Sequence, residues 1–321
     1  MSRLWILLVA LGLPLAGQVK ITQSSDRISV EIDGKPYTAL FVGAGANKPY
    51  LHPLRSASGK QVTRSFPMEM VEGERRDHPH HRGLWFAHGD VNGFDYWTNE
   101  DSQKRAITGR IALKKVGDVK NGKKSGGFTA VFDWLDPAGK PILTESRRTV
   151  FRAEPNLRAI DFDITLTPAG SKVTFGDTKE GTFAMRLAAG LEEDPKGAPA
   201  VPKRTGRMVN AEGATGEPAV WGKRSNWVDY YGEVDGEKLG VAILDHPGNP
   251  RYPTYWMSRA YGLFAVNVFG VREFERDKSK DGSLTIQAGH TLRFRYRVIV
   301  HSGDAQSAGI GAQWARWAGG K

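Results

Sequence analysis

The run Leu292-Arg293-Phe294-Arg295-Tyr296-Arg297-Val298-Ile299-Val300 alternates apolar and charged residues. In extended backbone, successive side chains project to opposite faces, so Leu292, Phe294, Tyr296 and Val298 share one face and the three arginines share the other. This is a strand whose arginine face is wet or lies beside an acidic neighbouring strand. The same period of two recurs at 19–22, 28–32, 128–134, 146–151 and 159–166, and shorter strand-like runs occupy 173–175, 240–244 and 263–268. Asp33-Gly34-Lys35-Pro36 follows the second of these as a turn and marks a hairpin. Helical periodicity is confined to the C-terminus, roughly 304–318. No linker divides the chain, and the Pro- and Ala-containing stretch 192–202 reads as a long surface loop. The expected fold is all-β: one large antiparallel β-sandwich over residues 18–321, closed by a short C-terminal helix.

At 321 residues the chain is long enough for a substantial core, and 38 glycines with 17 prolines suit many strands joined by turns. Residues 1–17 differ from the rest. One arginine precedes an apolar run of 14 residues (4–17) that contains Pro14 and ends in Ala16-Gly17. This pattern is that of a secretory signal peptide, and it is too short for the roughly 20 residues of a membrane span. The expected product is an exported, periplasmic or extracellular protein with no membrane span in the mature chain. The absence of cysteine removes disulfides, thiolate chemistry and lipoprotein anchoring. The net charge of +10 is dispersed, without a basic arm, so no nucleic-acid partner is expected.

The chemistry concentrates in Asp77-His78-Pro79-His80-His81-Arg82-Gly83-Leu84-Trp85-Phe86-Ala87-His88-Gly89-Asp90-Val91-Asn92-Gly93, where four of the eight histidines fall within eleven positions. Imidazole exchanges protons near neutral pH and is a common metal ligand. If the cluster is a strand or strand end, alternation puts His78, His80 and Arg82 on one face and His81 on the other. Three readings fit. In the first, one histidine protonates a substrate oxygen, a second orients it, and Arg82 holds the developing oxyanion. In the second, His78 and His80 bind a divalent metal with His88 or another ligand. In the third, the histidines only lock a turn. Asp90-Val91-Asn92-Gly93 carries a turn signature, and Trp85 and Trp97 offer flat faces for a sugar ring.

Outside this segment, Glu180 precedes a strand carrying Arg186 and is a candidate general base. Asp245-His246-Pro247-Gly248-Asn249-Pro250-Arg251 is a proline-stiffened loop that could fix His246, Asn249 and Arg251. His301 begins a further polar strand end. The repeated tripeptide Asp-His-Pro at 77–79 and 245–247 is too short to argue for duplication.

The histidine motif, together with Gly176-Asp177-Thr178-Lys179-Glu180-Gly181, Val220-Trp221-Gly222-Lys223, the Asp245–Thr254 loop, Tyr261-Gly262-Leu263 and His301-Ser302-Gly303-Asp304, resembles a bacterial family labelled PmoA family or DUF6807. The resemblance runs over nearly all of the mature chain. Met257 and Ala260 depart from it, standing where a histidine and an aspartate are expected. A literal methane monooxygenase subunit would be an integral membrane protein, which this sequence contradicts. By analogy, the β-rich layout resembles the galactose-mutarotase supersandwich, in which histidines and a glutamate act on sugars. The resemblance therefore implies a small carbohydrate ligand and an epimerase, mutarotase or lyase. His78 or His80 would be the acid and Glu180 the base. Arg82, Arg186 and His246 would hold hydroxyls or a carboxylate, with His88, Asp90, Asn92, Asn249, Arg251 and His301 as further ligand contacts. No cofactor is needed in this reading. A metal-dependent hydrolase or lyase, and a non-catalytic glycan-binding module, are the alternatives. A single site requires His80, Glu180 and His246 to lie within about 15 Å of one another, the reach of a shared ligand.

Overall fold

The computed structural model describes residues 17–103, 105–193, 196–200 and 202–320. The expected signal peptide, apart from Gly17, lies outside the described residues. Two large antiparallel sheets dominate, as the alternation requires. One has nine strands, ordered Tyr255–Ser258, Leu263–Asn267, Gly181–Arg186, Leu84–His88, Tyr50–His52, Lys35–Phe41, Arg27–Ile32, Gln18–Gln23 and Gly122–Lys123. The other has eight, ordered Arg207–Asn210, Trp227–Val234, Glu237–Asp245, Leu292–Ser302, Leu157–Pro168, Pro141–Glu154, Ser125–Leu135 and Arg110–Lys120. The first hairpin turns at Asp33 and Gly34, both with positive φ (55° and 74°), the geometry whose twist matches paired strands.

Aromatic rings from the two inner faces meet in the core. Phe86 of the nine-stranded sheet packs 6.1 Å from Trp134 and 5.6 Å from Phe294 of the other. Phe183 lies 4.9 Å from Phe162 and 4.6 Å from Tyr296, and Phe264 lies 4.7 Å from Tyr230. Such pairs contribute about 0.5–1.5 kcal/mol each beyond their area burial, so the seam between the sheets is the main cohesive surface.

Of the two readings of the arginine-faced strand, the structure shows the acidic neighbour. Arg297 stands opposite Asp161 and Arg295 opposite Asp163 on the Leu157–Pro168 strand. Arg297 binds Asp161 through two nitrogens at 2.5 and 2.8 Å, and Arg293 reaches Asp163 at 2.7 Å.

Two expectations are corrected. The C-terminal helix is shorter than 304–318 and spans Ile310–Gly319. Asp304 and Ser307 bond each other in a tight turn, and Gly309 adopts a left-handed φ of 62° that stops helix propagation toward the N-terminus. Nor is the start of the 192–202 stretch a surface loop. Glu192 is fully buried and binds Arg75 at 2.9 Å and Arg204 at 3.3 Å.

Candidate functional site

The site rests on the outer face of the nine-stranded sheet. Phe86, Phe183 and Phe264 point into the core, so alternation turns Trp85, Ala184 and Ala265 outward. Strand register lines these up as one row: Met257 opposite Ala265, Ala265 opposite Ala184, and Ala184 opposite Trp85. Two methyl side chains stand in the middle of this row, and Met257 at its end borders a depression in the surface.

The histidines reach this depression from a turn, which corrects the reading of the cluster as a strand. The strand begins only at Leu84. His78 takes a positive φ of 44°, and the His81 amide donates to the His78 carbonyl at 3.0 Å. Gly83, with φ of 49°, then passes so close to the neighbouring strand that a Cβ would sit 2.1 Å from the Leu51 carbonyl oxygen. The turn puts His78, His80 and His81 together instead of on alternating faces. The His78 ring stacks in parallel on His81 at 4.8 Å and on Tyr261 at 5.4 Å, and His81 stacks in turn on Trp85 at 5.3 Å. His80 meets His81 edge-on at 4.3 Å.

Buried charge braces this column. Asp77 accepts from Arg64 at 2.5 Å and forms an ion pair with Arg186 Nη2 2.8 Å away, and its other oxygen lies 3.2 Å from His78 Nδ1. Burial opposes the charge on Asp77, but His78, Arg186 and Arg64 outweigh it and hold the carboxyl well below its usual range. A permanent carboxylate at Nδ1 keeps a proton on that nitrogen and leaves Nε2 for chemistry. Arg186 also lies 4.7 Å over the Tyr261 ring.

A cavity of about 580 Å³ opens here, bordered by all three histidines, Glu180, Lys179, Tyr261, Trp221 and Arg259. Glu180 comes from the turn before the Gly181–Arg186 strand. Gly89 lets it pass, because a Cβ there would be 2.9 Å from Glu180 Cβ. Among the described residues the Glu180 carboxylate has no hydrogen-bond or ion-pair partner, and burial raises its pKa against the pull of Lys179. Lys179 itself is engaged by Glu273 at 3.7 Å. Burial lowers His80 to about 3 with help from Lys48, and burial likewise lowers His81 well below its usual value, so both rings are neutral near pH 7. His80 Nδ1 pairs with Gln103 Oε1 at 2.9 Å, which assigns the proton to Nδ1 and makes Nε2 an acceptor.

The remaining sequence candidates lie elsewhere. Trp85 and Trp97 are fully buried behind the histidines and present no face to a ligand. The aromatic residues that border the cavity besides the histidines are Tyr261 and Trp221, both half-buried. Arg186 is likewise fully buried and acts through Asp77 and Tyr261. Arg82 is committed to Glu100. His88 points away from the cavity into the sheet interior, bonding the Gly176 carbonyl at 2.8 Å between Phe175 and Phe269. Asp90 and Asn92 form the turn their sequence announces, with Asn92 at φ of 54° and Asp90 accepting from the Gly93 amide. Asn249 bonds Asp245 and the Arg295 backbone, and Arg251 donates to the Val268 and Ser283 carbonyls, so both brace their loop. His301 pairs with buried Asp229 at 2.9 Å.

His246 borders a different cavity, with Arg295 and Arg297, so a single site containing His80, Glu180 and His246 does not form. The metal set His78, His80 and His88 is not assembled because His88 points into the sheet interior, and no group of three histidine, aspartate or glutamate side chains among the described residues is placed to hold a metal ion. No described helix is long and apolar enough to cross a membrane.

No curated protein sequence matches the chain. Among solved structures, a galactose mutarotase-like protein from Clostridium acetobutylicum aligns over 89% of this chain and 99% of its own at 9% identity and a TM-score of 0.42. One from Lactobacillus casei aligns over 88% and 100% at 8% identity and a TM-score of 0.39. A beta-arabinopyranosidase (13% identity, TM-score 0.34) and an alpha-galactosidase from Geobacillus stearothermophilus (9%, 0.36) each align over 89% of this chain. The chain spans only about two fifths of the length of those two enzymes, 38% and 41%. The family model that matches covers residues 27–315, and the chain belongs to DUF6807, a family of unknown function.

Proposed function

We propose that the chain is an exported enzyme that moves protons on a small carbohydrate, as an epimerase, mutarotase or lyase does. The observation that carries this reading is the unpaired Glu180 carboxylate sharing one cavity with the Asp77-oriented His78. A carboxylate made more basic by burial can take a proton from a substrate hydroxyl or carbon. His78 in its doubly protonated form, with Nδ1–H held by Asp77, delivers the Nε2 proton to the oxygen where negative charge develops and is left neutral. His80 is neutral and therefore serves as a hydrogen-bond acceptor for a hydroxyl rather than as the acid. Tyr261 and Trp221 supply flat apolar surfaces suited to the C–H face of a sugar ring.

In ring opening, Glu180 would remove the anomeric hydroxyl proton, the C1–O5 bond would break as the carbonyl forms, and O5 would take the proton from His78. In epimerisation or elimination, the same carboxylate would remove a carbon-bound proton beside a carbonyl or carboxylate. The test is to incubate the protein with aldoses and uronates and follow anomer exchange, deuterium uptake and unsaturated products by NMR. Turnover should fall about 100-fold or more in Glu180→Gln and in His78→Asn, the usual scale for loss of a general acid or base. Saturable sugar binding with no turnover by the wild type would instead mark a glycan-binding module.

A further inference from the structure

The outer face of the eight-stranded sheet carries a second arrangement that the proton-transfer site does not use. Arg148 and Arg295 flank Asp163 in one cross-strand row, and Arg297 stands opposite Asp161. With Arg152 and with Arg316 of the C-terminal helix, they border a cavity of about 440 Å³ that His246 and Trp317 complete. Asp161 is taken by Arg152 at 2.6 Å and by Arg297, and Asp163 is taken by Arg293. Among the described residues, the guanidinium groups of Arg148, Arg295 and Arg316 are left without an ion pair or hydrogen bond. Five bordering arginines against two carboxylates leave an excess of three positive charges. Such a gathering repels itself and does nothing for the fold unless an anion joins it.

Two details show that the groups are placed rather than merely exposed. Arg295 lies over Gly248, where a Cβ would be 2.0 Å from its Nη2 and 3.4 Å from His246 Nδ1. The Gly248 amide donates to His246 Nδ1 at 2.9 Å, which puts the ring proton of the neutral imidazole on Nε2 as a donor. Burial, with Arg295 and Arg293 next, holds His246 at about 4, so the ring is neutral near pH 7. Trp317 adds an apolar surface, its ring 5.4 Å from the Arg297 guanidinium and 5.0 Å from the His246 ring.

We propose that this cavity is a second binding site, for a saccharide bearing an oxyanion: a sulfate ester, a phosphate ester or a carboxylate. Arginine forks match such oxyanions in shape and charge, and the indole matches a sugar face. The site is on the opposite face of the sandwich from the Glu180 cavity and does not depend on catalysis there.

The experiment is titration calorimetry of the mature chain with a heparin-derived disaccharide, a sugar phosphate, digalacturonate, a neutral disaccharide, inorganic sulfate and a short DNA duplex. Saturable binding of at least one anionic saccharide is expected, and the arm that binds identifies the oxyanion. Affinity should fall about tenfold or more in Arg148→Gln/Arg295→Gln, since the loss of two charge-assisted contacts exceeds 1.4 kcal/mol. It should also fall in Gly248→Ala, which displaces Arg295 without changing the charge, and stay unchanged in Glu180→Gln. Arg148→Gln alone, at an exposed position, gives a variant whose folding is not in question. The proposal is overturned if no anionic saccharide binds, if the neutral sugar or bare sulfate binds as tightly, or if the duplex binds as tightly with Gly248→Ala without effect.

Discussion

Asp77→Asn separates the electrostatic role of the site's support from its shape. The substitution keeps the size of the side chain and removes one charge. It leaves Arg64 and Arg186, which are 1% and 0% exposed, without the carboxylate that lies 2.5 and 2.8 Å from them. Breaking a fully buried ion pair costs about 3–5 kcal/mol. Asp77 is 34% exposed, so water recovers part of this, and Arg64 keeps carbonyl acceptors at Asp77 and His78. The expected loss is about 2–3 kcal/mol, or roughly 3–5 °C in Tm for a chain of this length. Because the folded pKa of Asp77 is depressed, its contribution is present above the unfolded value of about 3.9 and lost as pH falls through the lower folded value. Urea denaturation should therefore show wild type and variant separated from pH 5 to 8 and converging below about pH 4. A difference under about 0.5 kcal/mol at pH 7, within the range of ordinary surface changes, would refute the view that Asp77 neutralises the buried arginines.

Other consequences are open to direct measurement. Tyr261→Ala removes the ring that stacks on His78 and lies under Arg186, and should weaken sugar binding by about 1–2 kcal/mol, seen as a raised KM or Kd; unchanged affinity would remove Tyr261 from the ligand surface. Gly83→Ala drives a Cβ into the Leu51 carbonyl and should cost about 3 kcal/mol or more, read as loss of soluble folded protein or a steep drop in Tm, and near-wild-type stability would mean that the His78–Gly83 turn shifts freely. For His301, burial works against the charge, but Asp229 outweighs it and raises the folded pKa. The resulting stabilisation is present below the unfolded value of about 6.5 and lost as pH rises through the higher folded value, so His301→Gln should flatten the stability profile on the alkaline side of pH 6.5. Elemental analysis should find no stoichiometric metal that disappears in His80→Ala; one metal per chain lost in that variant would replace the acid–base reading with a metal-dependent one.

Strand content was legible because a period of two is a local property. The arginine alternation at 293–297 allowed a wet face or an acidic neighbouring strand, and the pairing with Asp161 and Asp163 decides for the second. The histidine turn was not legible. Its decisive residue, His78, carries a positive φ without the glycine or asparagine that usually announces one. Burial of Trp85 and Trp97 follows from how the turn folds back over the sheet, which residue spacing does not encode. Glu180 and His78 could be named separately, but their meeting depends on the pairing of Gly181–Arg186 with Leu84–His88. His246 failed for the converse reason: the second Asp-His-Pro looks like the first but follows a strand of the other sheet. Tyr261 and Trp221 were visible as residues, and nothing local marked them as ligand-facing.

The two sheet residues that border the cavity, Met257 and Leu263, separate two kinds of change. Proton-handling groups sit on turns at 78–81 and 178–180, whereas Met257 and Leu263 border the same cavity from neighbouring strands. A larger side chain at either position would make the cleft shallower without relocating an acid or a base. Relatives that keep both turns can thus diverge in the size of sugar they accept through single substitutions in the sheet, and surveying those two positions would sort the family by ligand bulk before any assay is run.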